Sequence, residues 1–189
     1  DRASFVRTLA DAVGLEIAAE KGDFYEIVPR GLNDVPYSWI ELTTLLGASG
    51  VSPDFFSANF ERDYTFFVFK SPSGAAQASA SPSASNLFPG HIFKLQKGKS
   101  PLLLQRDVLT LESHIEALAN LFLTDPGVPS GDGTFQDTQI SGQPTRSLTF
   151  KSGTGTTARI QTFRYGWFFG KYLIMSTNDE GLKAAIERL

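Results

Sequence analysis

Few side chains in this sequence are suited to chemistry, and their spacing argues against most of the chemistry they could do. The two histidines, His91 and His114, fall on separate elements with no third ligand at a recognisable interval. A zinc site needs three or four ligands in defined geometry, so His91 reads as opening a strand after Pro89-Gly90 and His114 as flanking a long helix. Asp125, Asp132 and Asp137 lie among Gly127, Gly131 and Gly133. Oxygen-rich glycine loops can hold calcium, but the EF-hand spacing and its closing glutamate are missing. A solvated connection between helix and strand accounts for the same residues. Lys151-Ser152-Gly153-Thr154-Gly155-Thr156-Thr157 has the residue types of a phosphate loop without their order, and no helix follows to offer its N-terminus. A hairpin turn explains it. No serine sits in a nucleophile elbow, and the chain has no cysteine for a thiol nucleophile, thiolate metal site or disulfide. Carboxylate pairs can be assembled in three dimensions, but nothing marks any acid as special. The expectation is a non-enzyme with no catalytic residue, metal or cofactor.

The aromatic residues are more suggestive. Sixteen phenylalanines and two tryptophans concentrate in residues 55–69 and 163–172. An aromatic core is the simplest use for them. The alternative is an exposed patch at Trp167 and Phe168 on which a glycan or peptide could stack. Those two residues are the candidate ligand-binding pair.

These side chains must be positioned by alternating helices and strands. Phe5, Leu9, Val13 and Ile17 recur at four-residue spacing and predict a helix over residues 3–19. A short strand over 24–28 follows, closed by Pro29 and Gly31. A helix led by Pro36 runs through Trp39, Leu42, Leu45 and Leu46 to Gly47, with one further turn at 53–58. Residues 64–70 form the clearest strand, apolar on both faces, which requires helices on both sides of the sheet or a partner on one. Residues 74–86 are low-complexity Ala, Ser, Pro and Gln, and read as a flexible loop to a strand at 91–96. Ser100-Pro101 is a helix start, capping hydroxyl then proline. Leu104, Val108, Leu111, Ile115, Leu118 and Phe122 then predict one continuous helix, stopped at Asp125-Pro126-Gly127. Strands are expected at 135–140, 145–151, 158–165 and 171–176, then a last helix from Thr177 or Asn178. The result is a single α+β domain over residues 1–189, an antiparallel sheet with helices packed on it. The order suggests two strand–strand–helix units, 64–123 and 158–189.

Seventeen Lys and Arg against twenty Asp and Glu leave a net charge of −3. The basic residues are scattered, so neither nucleic acid nor an anionic membrane surface is expected as a partner. No stretch approaches the ~20 consecutive apolar residues of a membrane helix. The chain begins at Asp1 without a leader, and is read as a fragment of a longer protein.

The order of segments from Ile40 onward carries a family resemblance. Leu42-Thr43-Thr44-Leu45-Leu46 and a proline-led segment at 53–60 precede Tyr64-Thr65-Phe66-Phe67-Val68-Phe69. The helix, Phe135-Gln136-Asp137 and Lys171-Tyr172-Leu173-Ile174-Met175-Ser176-Thr177 complete the pattern. This order resembles the uncharacterised envelope-anchored domains of candidate-phyla-radiation (Patescibacteria) bacteria. The resemblance implies a domain behind one membrane anchor, extracytoplasmic at the cell surface, whose partner is another envelope protein or the rest of the parent chain. It brings no catalytic residues. The expected role is assembly or adhesion, with glycan or peptide binding as the alternative.

Overall fold

The computed structural model describes residues 11, 23–31, 33–48, 53–71, 87–122, 128–129, 133–152 and 159–189. The expected helix over 3–19 and the loop over 74–86 lie outside them, apart from Asp11.

All strand pairs are antiparallel, and eight strands share one sheet. They are β1 (Phe24–Ile27), β2 (Thr65–Lys70), β3 (Leu87–Lys94), β4 (Val128–Pro129), β5 (Gln136–Ile140), β6 (Gln143–Ser152), β7 (Arg159–Phe168) and β8 (Tyr172–Ser176). The order is β1-β2-β3-β8-β7-β6, with β4 and β5 both on the outer edge of β6. The helices are α1 (Trp39–Leu46), α2 (Pro53–Asn59), α3 (Pro101–Leu109), α4 (Ile115–Leu121) and α5 (Asp179–Glu187), with a 3-10 turn at Thr110–Ser113. The α+β expectation holds.

The sheet is covered on both faces. On the front, Phe93, Leu148, Phe163, Tyr165, Leu173 and Met175 pack against α1 to α4 in the larger core. On the back, Phe67, Phe69, Ile92, Phe168 and Ile174 pack beneath Leu182 and Ala185 of α5. Covered faces explain strands that are apolar on both sides, since neither meets water. Asn178 caps α5 by accepting from the Gly181 amide at 2.9 Å, with Asp179 and Glu180 in the first turn, where the helix dipole favours acids. The strand–strand–helix runs β2–β3–α3 and β7–β8–α5 meet at the β3–β8 pair. A rotation exchanging two antiparallel neighbours keeps each face of the sheet. These helices lie on opposite faces, so no such rotation exchanges the units.

The continuous helix expected after Ser100 is broken. The Thr110 hydroxyl donates to the Asp107 carbonyl at 2.6 Å and Ser113 to the Thr110 carbonyl at 2.7 Å. Side chains that compete for backbone acceptors weaken a helix interior. The break also lets Glu112 turn to the sheet, where it accepts from Arg146 Nε and Nη2 at 2.7 and 2.6 Å and from the Tyr165 hydroxyl at 2.5 Å. Nor does the Ser100 hydroxyl cap α3; Pro101 alone occupies the start. The apolar seam survives the break, because Leu104, Val108, Leu111, Leu118 and Phe122 stay in the front core. Leu111→Ala is therefore expected to cost about 2–5 kcal/mol in denaturant unfolding, and the half-buried Ile115→Ala less. Equal and negligible losses at both would place the seam outside the core.

Candidate functional site

α1 begins where Ser38 and Glu41 form a reciprocal capping box, with the Glu41 carboxylate accepting from the Ser38 amide at 2.8 Å and its hydroxyl at 2.7 Å. These bonds, the side-chain one first, lower the Glu41 pKa, and Arg62 adds to the effect. The cap fixes the angle at which Trp39 enters the front core. There its ring packs on Phe93 at 4.6 Å, Phe56 at 5.0 Å, Tyr64 at 5.3 Å and His91 at 5.5 Å. β2 begins just after Tyr64, and an isolated bridge joins Phe60 to Leu95. The segment 60–64 is thereby stretched across the end of the sheet beside α1.

Two cavities open along that segment. One, of about 350 Å³, lies between Val28-Pro29, Val35-Pro36-Tyr37 and Arg62-Asp63-Tyr64. The other, of about 360 Å³, is walled by Trp39, Phe56, Phe60, Tyr64 and Phe93. Ser38, Arg62 and Tyr64 line both, so the two form one cleft with a saddle at its middle. Their volumes fall at the lower end of the range for small-ligand sites. Val28, Val35 and Ile40 border the cleft with exposed apolar side chains. Most polar groups in it are already engaged. Lys94 donates to Glu61 at 3.0 Å, and the Gln96 amide donates to the Ser57 and Phe60 carbonyls at 3.2 and 2.8 Å. Arg62 is exposed on the saddle and has no hydrogen bond or ion pair among the described residues. The Tyr64 hydroxyl is buried without a hydrogen-bond partner among the described residues, and burial raises its pKa, with a smaller push from Glu41.

The residues singled out by sequence lie elsewhere. Trp167 is half-buried and stacks on Phe60 at 5.9 Å, behind the second cavity. Phe168 is 1% exposed on the opposite face of the sheet, in the α5 core. Neighbouring strand residues alternate faces, so the pair cannot form one patch; this corrects the expected site. His91 is fully buried in a cage of Trp39, Phe66, Phe93 and Phe122. His114 is exposed at the break between α3 and α4. Asp137 belongs to β5, where it pairs with Arg146 at 2.9 Å, while Asp125 and Asp132 lie outside the described residues. Among the described residues no three His, Asp or Glu side chains gather as metal ligands. The cleft residues missed by sequence carried one legible signal. Val28 and Val35 in a proline-punctuated connection, and Ile40 at the start of α1, are large apolar residues where a free surface would carry polar ones.

No family model matches the chain, and neither curated proteins nor solved structures returned a match. Fold and geometry define an α+β domain with two cavities beside α1. No described helix is long and apolar enough to cross a membrane.

Proposed function

We propose that this chain is a non-catalytic docking domain of a cell-envelope protein, acting outside the cytoplasm in assembly or adhesion by holding a peptide segment of its partner in the cleft. The partner is another envelope protein or the rest of the parent chain. The observation that carries the reading is the two-chambered apolar cleft divided by Arg62. Its shape suits an extended segment that places an apolar side chain in each chamber and an acidic group or carboxyl terminus on the guanidinium. The segment order shared with envelope-anchored domains supports the location.

Geometry favours peptide over glycan. A sugar ring needs an open aromatic face and free polar groups around it. Here Trp39, Phe56, Phe60 and Phe93 are buried nearly to their edges, and Glu61 and Gln96 are committed to the protein. The test is selection of peptides from a random phage-displayed library, followed by affinity measurement. Selected peptides are expected to carry two apolar residues flanking an acid. They should lose about tenfold or more in affinity against Arg62→Glu, which sets like charge against the acid, and against Val35→Asp. Peptides that bind both variants as tightly as the parent chain would rule out the cleft as the site.

A further inference from the structure

A second surface, separate from the cleft's ligand, lies at the end of the sheet where β7 turns into β8. The turn is closed by the Lys171 amide donating to the Phe168 carbonyl at 3.1 Å. Both central residues are left-handed, Phe169 at φ 51° and Gly170 at φ 67°. Such turns favour Asn-Gly, and a bulky residue in the left-handed region is disfavoured. Nevertheless the first central position holds phenylalanine, with 65% of its surface exposed. Both backbone strain and exposure run against folding, which points to a use outside the fold.

Its surroundings indicate that use. The Lys171 carbonyl accepts from the Leu95 amide at 2.8 Å, so the tip sits beside the turn that leaves β3. That turn carries Lys97 and Lys99 and leads directly into α3, whose first residues include Leu102 and Leu103, 83% and 78% exposed. Among the described residues Lys97, Lys99 and Lys171 form no ion pair, although Lys171 lies over the Tyr172 ring at 5.1 Å. A chain of net charge −3 thus presents three free lysines and three bare apolar side chains at one end.

We propose that this end is a membrane-docking face. Phe169, Leu102 and Leu103 enter the interfacial layer of a bilayer, while Lys97, Lys99 and Lys171 lie on anionic headgroups. Lysines beside protruding apolar side chains match both components of such a surface, because the amines reach headgroup depth while their stems stay with the apolar layer. A soluble polyanion would use the lysines but leave two leucines bare. A protein partner is the poorer fit because these side chains protrude into solvent. The expectation from sequence, that scattered charge disfavours an anionic membrane, is thereby revised for this face.

The test is co-sedimentation of the 189-residue chain with vesicles of phosphatidylcholine alone and of phosphatidylcholine mixed with phosphatidylglycerol. Binding is expected only to the mixed vesicles and should fade at high salt. Each lysine replaced by alanine should weaken it about fivefold, and all three about a hundredfold. Phe169→Asn should weaken it about tenfold or more while melting at or above the parent temperature, because asparagine relieves the turn. Loss of binding in that variant therefore cannot come from unfolding. A chain left in the supernatant with mixed vesicles at low salt would overturn the proposal. So would undiminished vesicle binding by Phe169→Asn combined with Leu102→Ser and Leu103→Ser, which would leave the lysines as the whole contact and remove the apolar insertion. Neither result bears on peptide binding in the cleft.

Discussion

Gly90→Ala is expected to destabilise the fold by about 3 kcal/mol or more, as severe overpacking does. Gly90 of β3 stands directly across from Phe67 of β2, and the Phe67 ring lies over it. A methyl built at Gly90 falls 2.5 and 2.6 Å from the two Cε atoms of that ring. The ring has little room to withdraw, because Phe67 is fully buried and stacked on Phe24 at 4.6 Å. Phe67→Ala alone should cost about 3–5 kcal/mol by opening a cavity beneath α5. Combining Gly90→Ala with Phe67→Leu should cost less than the sum of the two single changes, because the shorter side chain vacates the contested space. Denaturant unfolding of the four proteins decides it. A Gly90→Ala loss below half a kcal/mol would show that the ring moves freely.

The neighbouring residue, on the other face, makes stability fall in acid. Burial lowers the His91 pKa to about 3, opposed in part by its contact with the Leu121 carbonyl. The ring is caged by Trp39, Phe66, Phe93 and Phe122, with the Tyr64 ring 6.4 Å away. Tyr64 is the titratable neighbour in that cage, and its hydroxyl stays protonated because burial raises its pKa. The folded chain therefore keeps His91 neutral between about pH 6.5 and 3, whereas the unfolded chain protonates it. In that window the unfolded state binds more protons, so stability falls as pH falls, by about 1.4 kcal/mol per unit. By pH 3.5 the loss from this group alone approaches about 4 kcal/mol. Carboxylates titrate in the same range, so the readout is the difference between the parent chain and His91→Phe. At pH 8 the variant should be less stable by about 1 kcal/mol, having given up the long 3.4 Å bond to Leu121. The two curves should cross on acidification, leaving the variant the more stable below pH 5. Parallel curves from pH 8 to 4 would mean that His91 reaches solvent in the folded state.

The break between α3 and α4 shows why a legible pattern can mislead about its element. The seam from Leu104 to Phe122 does face the front core. A seam records which residues face the core, however, and a 3-10 turn can carry the same residues inward. The Thr110 and Ser113 hydroxyls interrupt the helix locally, and the contacts that Glu112 then makes with Arg146 and Tyr165 come from strands far along the chain. The aromatic pair at Trp167 and Phe168 failed for a simpler reason. Once the segment is a strand, adjacent residues point to opposite faces, and the exposed aromatic falls at the turn, on Phe169.

The class of fold and most of its elements are legible along the chain, because they depend on local periodicity and on turn residues. The apolar runs at 64–70 and 171–176, proline and glycine punctuation, and the four-residue spacing in the helices are visible without knowing what lies nearby. The cleft and the lysine-bearing end are legible only once the strands are paired. Trp39, Arg62, Tyr64 and Phe93 become one cleft through the capping at Ser38 and the bridge between Phe60 and Leu95. Lys171 is far from Lys97 and Lys99 in sequence and is brought to the same end by the pairing of β3 with β8, which the bond between Leu95 and Lys171 extends. Such sites join residues with no fixed spacing along the chain, and it is strand pairing that sets which of them meet.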